Sequence, residues 1–200
     1  MSDALLALHY QNDICHPDGL IPFSLDRSTP EAANFLSASK RALDEARRAG
    51  WTIAHIFIAF APDYSDLLRN CRLFLKTETL GALKRGSWGA AAFAGFEPAA
   101  DEIVVTTNCN SGFRRTDLEA ALNGRGVNRV NAMGLATQFS VEHTVRDAAD
   151  LGYRVRLFAD CCVSGDMEAH RATLRSMPML ADVMESEAAF ADAEQIAPRL

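Results

Sequence analysis

Residues 129–159 read RVNAMGLATQFSVEHTVRDAADLGYRVRLFA, and their hydrophobic rhythm changes twice. Residues 129–135 form a near-continuous apolar run, the pattern of a strand buried on both faces. Residues 138–151 then place Val141, Val145, Ala148 and Ala149 on one helical face, and Gly152 supplies a C-terminal stop. Residues 153–159 return to a strand pattern. Two strands joined by a helix of this length lie parallel, because a hairpin cannot connect them.

The same alternation extends outward. Residues 4–9 (ALLALH), 51–60 (WTIAHIFIAF), 103–107 (IVVTT) and 182–185 (DVME) are further predicted strands. A helix is expected from Thr29-Pro30, a cap followed by a first-turn proline, to Gly50. Thr116-Asp117-Leu118-Glu119 has the spacing of a capping box that opens a helix ending at Gly124 and Gly126. Residues 166–176 are read as one more helix. Such a chain folds as an α/β protein, a parallel sheet between two helical layers. Residues 61–102 break the rhythm with Pro62, Gly81, Gly86, Gly89, Gly95 and Pro98. The stretch is too long for a simple connection and is expected to be a lid-like excursion. No repeat or linker divides the 200 residues, so one domain over 1–200 is expected.

Composition narrows the function. Hydrophobic residues make up 48% and charged residues 23%, a globular balance. Twenty basic against 26 acidic residues leave a net charge of −6, and only Lys40, Lys76 and Lys84 are lysines. That disfavours nucleic acid and anionic membranes as partners. No apolar stretch approaches a membrane span, and the N-terminus lacks a basic leader. Five cysteines without a CxxC pair suggest reduced thiols and a cytoplasmic protein.

Several motifs together resemble the isochorismatase-like hydrolases, the superfamily that also holds nicotinamidases and carbamoylsarcosine amidases. They are ALLALHYQND at the first strand, GSWGA (86–90) in the excursion, SGFRRTDLEAALNGRGVNRV (111–130), and GLATQFSVEHTVRDAADLGYRV (134–155). The resemblance covers residues 4 to 187. It implies a three-layer α/β/α Rossmann-type fold with a six-stranded parallel sheet, order 3-2-1-4-5-6. Strands one and four then meet at a topological switch point, where open α/β sheets bind ligands. It implies a small-molecule substrate, no cofactor, and assembly as a homodimer or homotetramer. Phe93, Phe96 and the Ala-rich 90–100 stretch are expected to help form such an interface.

The family machinery is an Asp, a Lys and a Cys. Carried over, the Asp falls on Asp13, the Lys on Thr107 and the Cys on Ser140. Asp13 is therefore expected as general acid or base, in a hydrolase that acts without a cysteine nucleophile. The alternative is a catalytically inactive member kept for ligand binding or assembly. Ser140 at a helix start is a nucleophile, a water positioner or a cap, with His143 one helical step away. The Leu135-Ala136 bond matches a cis peptide of the family that shapes an oxyanion hole from the Ala136 and Ser140 amides. Thr107 offers a hydroxyl where the ammonium stood. Phe23, Phe60, Trp88 and Phe113, with Leu135, Ala136 and Gln138, are the expected substrate contacts. His9, Cys15 and His16 are too few and too close in sequence to be expected as a metal site. Cys109 is either a displaced nucleophile or packing, and Cys161-Cys162 are read as packing.

Overall fold

The computed structural model describes residues 2–22, 25 and 30–196. Its elements are β1 (Asp3–Leu8), α1 (Asn12–Cys15), α2 (Pro30–Arg48), β2 (Thr52–Ile58), α3 (Arg72–Leu80), β3 (Ile103–Thr107), α4 (Leu118–Gly124) and β4 (Arg129–Leu135). A π-helical turn (Thr137–Val141) then leads into α5 (Glu142–Asp150). It is followed by β5 (Arg154–Val163), α6 (Met167–Ser176), a 3-10 turn (Met177–Met179), β6 (Asp182–Met184) and α7 (Ser186–Ile196). All neighbouring strands pair in parallel, in the order β3-β2-β1-β4-β5-β6. This is the topology that the resemblance implies.

β1 lies at the centre and every residue of it is buried. Its period-2 alternation divides the core in two. Leu5 and Ala7 pack with Phe35, Ala42 and Leu43 of α2 on one face. Ala4, Leu6 and Leu8 pack with Leu118 and Leu122 of α4 and Val145 and Ala148 of α5 on the other. At the start of the sheet Asp3 receives Arg129 in a bidentate pair (2.5 and 2.7 Å) and the Asn131 amide at 3.1 Å, so neither charge is left unpaired among the strands.

Three sequence expectations change in detail. The Thr116 hydroxyl does not close a capping box. It donates to the Gly112 carbonyl at 2.6 Å, and the helix starts two residues later with no side-chain cap on Asp117. β5 continues through Cys161 and Cys162 to Val163. The 61–102 excursion is also more ordered than a loop: it contains α3, and Phe60 bridges to Lys84. Within it Phe96 is 2% exposed and stacks on Tyr10 at 4.2 Å, with Phe93 against it. The chain itself covers Phe96, so that side chain is not open for a partner subunit.

The carboxyl end of β4 approaches β1 at Gly134, which has a φ of +140°. A Cβ there would lie 2.2 Å from the Leu8 carbonyl oxygen. Any larger residue must push the two strands apart where the switch point opens. Gly134→Ala is expected to destabilise the fold by about 2–4 kcal/mol, from strain and lost packing together. Gly124→Ala, where a Cβ meets nothing within 4 Å, is the matched control and should be neutral or slightly stabilising. Urea unfolding of both proteins checks this, and equal midpoints would contradict it.

Candidate active site

Beyond Leu8 the chain turns sharply. His9 has a φ of +63°, in the left-handed region that side chains other than Gly and Asn rarely adopt. Its ring is 2% exposed, and Nδ1 lies 3.1 Å from the Ile56 carbonyl oxygen. A carbonyl can only accept, so Nδ1 carries the proton and Nε2 presents its lone pair. Nε2 is buried without a hydrogen-bond partner among the described residues. Burial lowers the His9 pKa to about 4, opposed by the bond to Ile56, so the ring is neutral at physiological pH.

The three residues that follow bind the excursion to the sheet. The Gln11 side chain accepts from Ile58 N (2.9 Å) and donates to Ile58 O (3.0 Å) and Ala90 O (2.8 Å). Asn12 Nδ2 donates to Trp88 O at 2.9 Å. Asp13 accepts from Leu20 N at 3.2 Å through Oδ1 and from Leu83 N at 2.6 Å through Oδ2, and its own amide donates to Gly89 O at 2.8 Å. A Cβ on Gly89 would fall 2.1 Å from the Asp13 carboxylate, so only glycine admits this contact.

A cavity of about 40 Å³ opens at the carboxyl ends of the strands, at the β1/β4 switch point. Its polar lining includes His9, Asn110, Thr77 and Ser140. The rest is apolar: Ile14, Ile21, Ile58, Leu73, Phe74, Leu83, Leu135, Ala136 and Phe139. Ser140 belongs to the π-helical turn, a local widening often found at functional sites. Among the described residues nothing in the protein hydrogen-bonds its hydroxyl, while its carbonyl accepts from Thr144 at 2.7 Å. The Leu135-Ala136 peptide is cis.

The expected residues therefore divide. Ser140, Leu135 and Ala136 line the cavity. Asp13 is buried beside it but is not among the described lining residues, because its carboxylate is turned toward the Leu20 and Leu83 amides. Thr107 is 1% exposed, and its hydroxyl donates to Arg114 O (2.9 Å) and accepts from Cys109 N (2.9 Å). It ties down the loop after β3 and does not line the cavity. Gln138 is half-buried just outside, with Oε1 unpartnered among the described residues. Phe60 is fully buried in the core against Phe74, Phe113 stacks on Tyr153, and Trp88 is 53% exposed with its ring edge on His16. Phe23 lies outside the described residues. His143 is exposed and its Nδ1 is 2.8 Å from the Phe139 carbonyl oxygen of its own helix. Cys109 lies outside the lining too, and burial pushes the Cys162 thiol up to about 12.

Sequence reasoning missed Asn110 and the α3 residues Leu73, Phe74 and Thr77. It also read His9 only as a metal candidate. The signal for His9 was its place one residue past a buried strand.

The Isochorismatase domain model matches residues 3–188. The chain belongs to the isochorismatase family. It is 31% identical to the uncharacterized isochorismatase family protein YwoC of Bacillus subtilis, over 78% of each chain. With the ureidoacrylate amidohydrolase RutB of Acinetobacter baylyi the identity is 34%, over 46% of this chain and only 38% of that protein. An isochorismatase family protein from Desulfovibrio vulgaris superposes with a TM-score of 0.84 at 24% identity, covering 96% of this chain and 98% of that one. Among the described residues no helix is long and apolar enough to cross a membrane.

Two predictions follow from the buried His9 and the buried Asp13. The unfolded chain binds a proton at His9 below about pH 6.5, whereas the folded chain resists it until about pH 4. Stability should therefore fall as pH drops from 6.5 to 4. His9 accounts for up to about 3 kcal/mol of that loss. His55 and His170 are also lowered by burial and add in the same direction. His9→Asn, which tolerates the left-handed backbone, should flatten the pH slope relative to wild type in urea titrations at pH 7, 5.5 and 4.5. An unchanged slope would contradict a buried neutral ring. Asp13→Ala should cost about 1–3 kcal/mol by orphaning buried amides. Amide exchange should then quicken at Leu20 and Leu83 while that of β5 holds.

Proposed function

We propose that the cavity hydrolyses an amide-type bond of a small molecule without a thiol, using His9 as the general base and Ser140 as a hydrogen-bond donor. The observation that carries this reading is the Nε2 of a neutral, buried histidine, unpartnered among the described residues, in the same cavity as Ser140. The amidohydrolase relative supports the bond type.

The chemistry follows from those two groups. Nε2 takes a proton from a water molecule as its oxygen attacks the carbonyl carbon. The Ser140 hydroxyl donates to the carbonyl oxygen as negative charge develops there. The carbon–nitrogen bond then breaks, and the proton held on Nε2 passes to the departing nitrogen, leaving an acid and an amine. A histidine with a pKa of about 4 is a weak base, but it is in the competent form at any pH well above that value. Asp13 holds the excursion over the cavity in this reading. Thr107 holds the loop that carries Asn110.

Asp13 as the proton carrier is the competing assignment, and an inactive ligand-binding member is the alternative from another class. Turnover on a panel of amides, ureides, esters and vinyl ethers separates them. His9→Asn should lower kcat/KM by about 10²–10⁴-fold and Ser140→Ala by about 10²–10³-fold. Wild-type kcat/KM should stay level from pH 7 down to about 5. Cys109→Ser should change nothing. Full activity in His9→Asn would overturn the assignment, and absence of turnover on every substrate would favour the inactive alternative.

A further inference from the structure

We infer that a second cavity, beside the carboxyl end of β5, binds an aliphatic di- or polyamine, and that His170 links its occupancy to the π-helical turn bearing Ser140. This cavity shares no described lining residue with the candidate active site. The inference does not depend on which group carries the proton in hydrolysis.

The cavity measures about 890 Å³, within the range of about 300–1,000 Å³ that small-molecule sites occupy. It lies between α2, α6 and the start of α7, and Phe35, Val163, Met167 and Phe190 give it an apolar wall. Its described charged lining residues are Glu45, Asp160, Glu185 and Glu187 against Arg41. Glu45 pairs with Arg48 at 2.5 Å. Asp160 accepts from Ser186 N (2.8 Å) and Oγ (2.7 Å), bonds that bring no positive charge. Burial raises the pKa of Glu185, and the Asp160 charge beside it raises it further. A cation between the two would relieve that repulsion. Methylene stretches suit the apolar wall, and several ammonium groups suit carboxylates spread around it.

A second, independent observation points to a ligand. His170 of α6 lines the same cavity and is only 7% exposed. Its Nδ1 lies 2.8 Å from Thr137 Oγ1, while Nε2 has no hydrogen-bond partner among the described residues. Burial, and then the Arg171 charge, hold its pKa below the ordinary histidine value, so the ring is neutral at physiological pH. A ligand N–H that donates to Nε2 requires the ring proton on Nδ1, which then donates to the Thr137 hydroxyl. Thr137 is fully buried and opens the π-helical turn that contains Ser140. α6 also holds the residue just after that turn, since Thr173 donates to Glu142 at 2.8 Å. An amine held by His170 therefore acts on the segment that positions Ser140.

Spermidine, butylamine and pentanediol are titrated into the whole protein, and binding is followed by amide nuclear magnetic resonance. Spermidine should bind roughly tenfold or more tightly than butylamine, the diol should not bind at millimolar concentrations, and added salt should weaken the amine. Shifts should centre on Val163, Met167, His170 and Phe190 and extend to Ser140. Replacing both acids at the start of α7, Glu185→Gln with Glu187→Gln, should cost about fivefold or more in affinity. Thr137→Val should leave affinity within about twofold of wild type and silence the Ser140 shift. No binding of spermidine, shifts scattered over the acidic surface, equal binding of butylamine or the diol, or unchanged affinity in the double variant would each overturn the site. A Ser140 shift that persists in Thr137→Val would overturn the link. Binding that weakens as protein concentration rises would assign the cavity to a second copy of the chain and overturn the site as well. None of these readouts uses turnover, so failure of the proposed hydrolysis would leave them unchanged.

Discussion

The Gln11 side chain is completely buried between β2 and the excursion, and both of its amide hydrogens and its carbonyl oxygen are hydrogen-bonded. An unmatched amide at this depth would cost several kcal/mol in an apolar medium, so the excursion must return to within bonding distance of Ala90 for the strand ends to be stable. Asn12 and Asp13 extend the same seam to Trp88, Gly89 and Leu83. The roof of the cavity is thus fixed by three consecutive polar residues, and the orientation of His9 immediately before them is tied to that seam. The left-handed backbone at His9 is the turn that brings the chain from strand to seam, and it aims the ring into the cavity.

Much of the architecture was legible because each strand is a short apolar run and β1 alternates between two well-filled faces. The six strands and their order agree with what the sequence and the resemblance implied. The cis peptide at Leu135-Ala136 agrees as well. The excursion was less legible. Phe74 and Thr77 reach the cavity from a nine-residue helix whose apolar positions resemble those of any surface helix. Phe96 read as an exposed aromatic because its partner, Tyr10, is 86 positions away in sequence.

Where the Asp13 carboxylate points was not legible, for a local reason. An Asp after a strand is a natural reading in a switch-point crevice, and Asp13 is buried within that crevice. What sequence does not reveal is which atoms its carboxylate meets. Two backbone amides claim it, Leu83 of the excursion and Leu20 just after α1, and Gly89 makes the approach possible. The imidazole four residues earlier is the group left facing the cavity. Asn110 was invisible for the same kind of reason: its position depends on Thr107 fastening the loop after β3 to the Arg114 carbonyl.

Asp13, Thr107 and Ser140, the three positions that the sequence resemblance singles out, form a consistent group when considered as charges. An ammonium beside a single buried anion is a paired arrangement, and removing one member alone would leave a buried ion without its counter-ion. Here Thr107 carries a hydroxyl bound to backbone, Ser140 carries a hydroxyl, and the Asp13 carboxylate accepts from the Leu20 and Leu83 amides. His9 adds no charge because burial keeps it neutral. The described lining residues offer a developing negative charge neutral donors, each worth less than an ammonium at the same distance. Charge that develops near neutral donors is stabilised only as far as those donors approach it, so the backbone that fixes their positions bears directly on what the cavity can do.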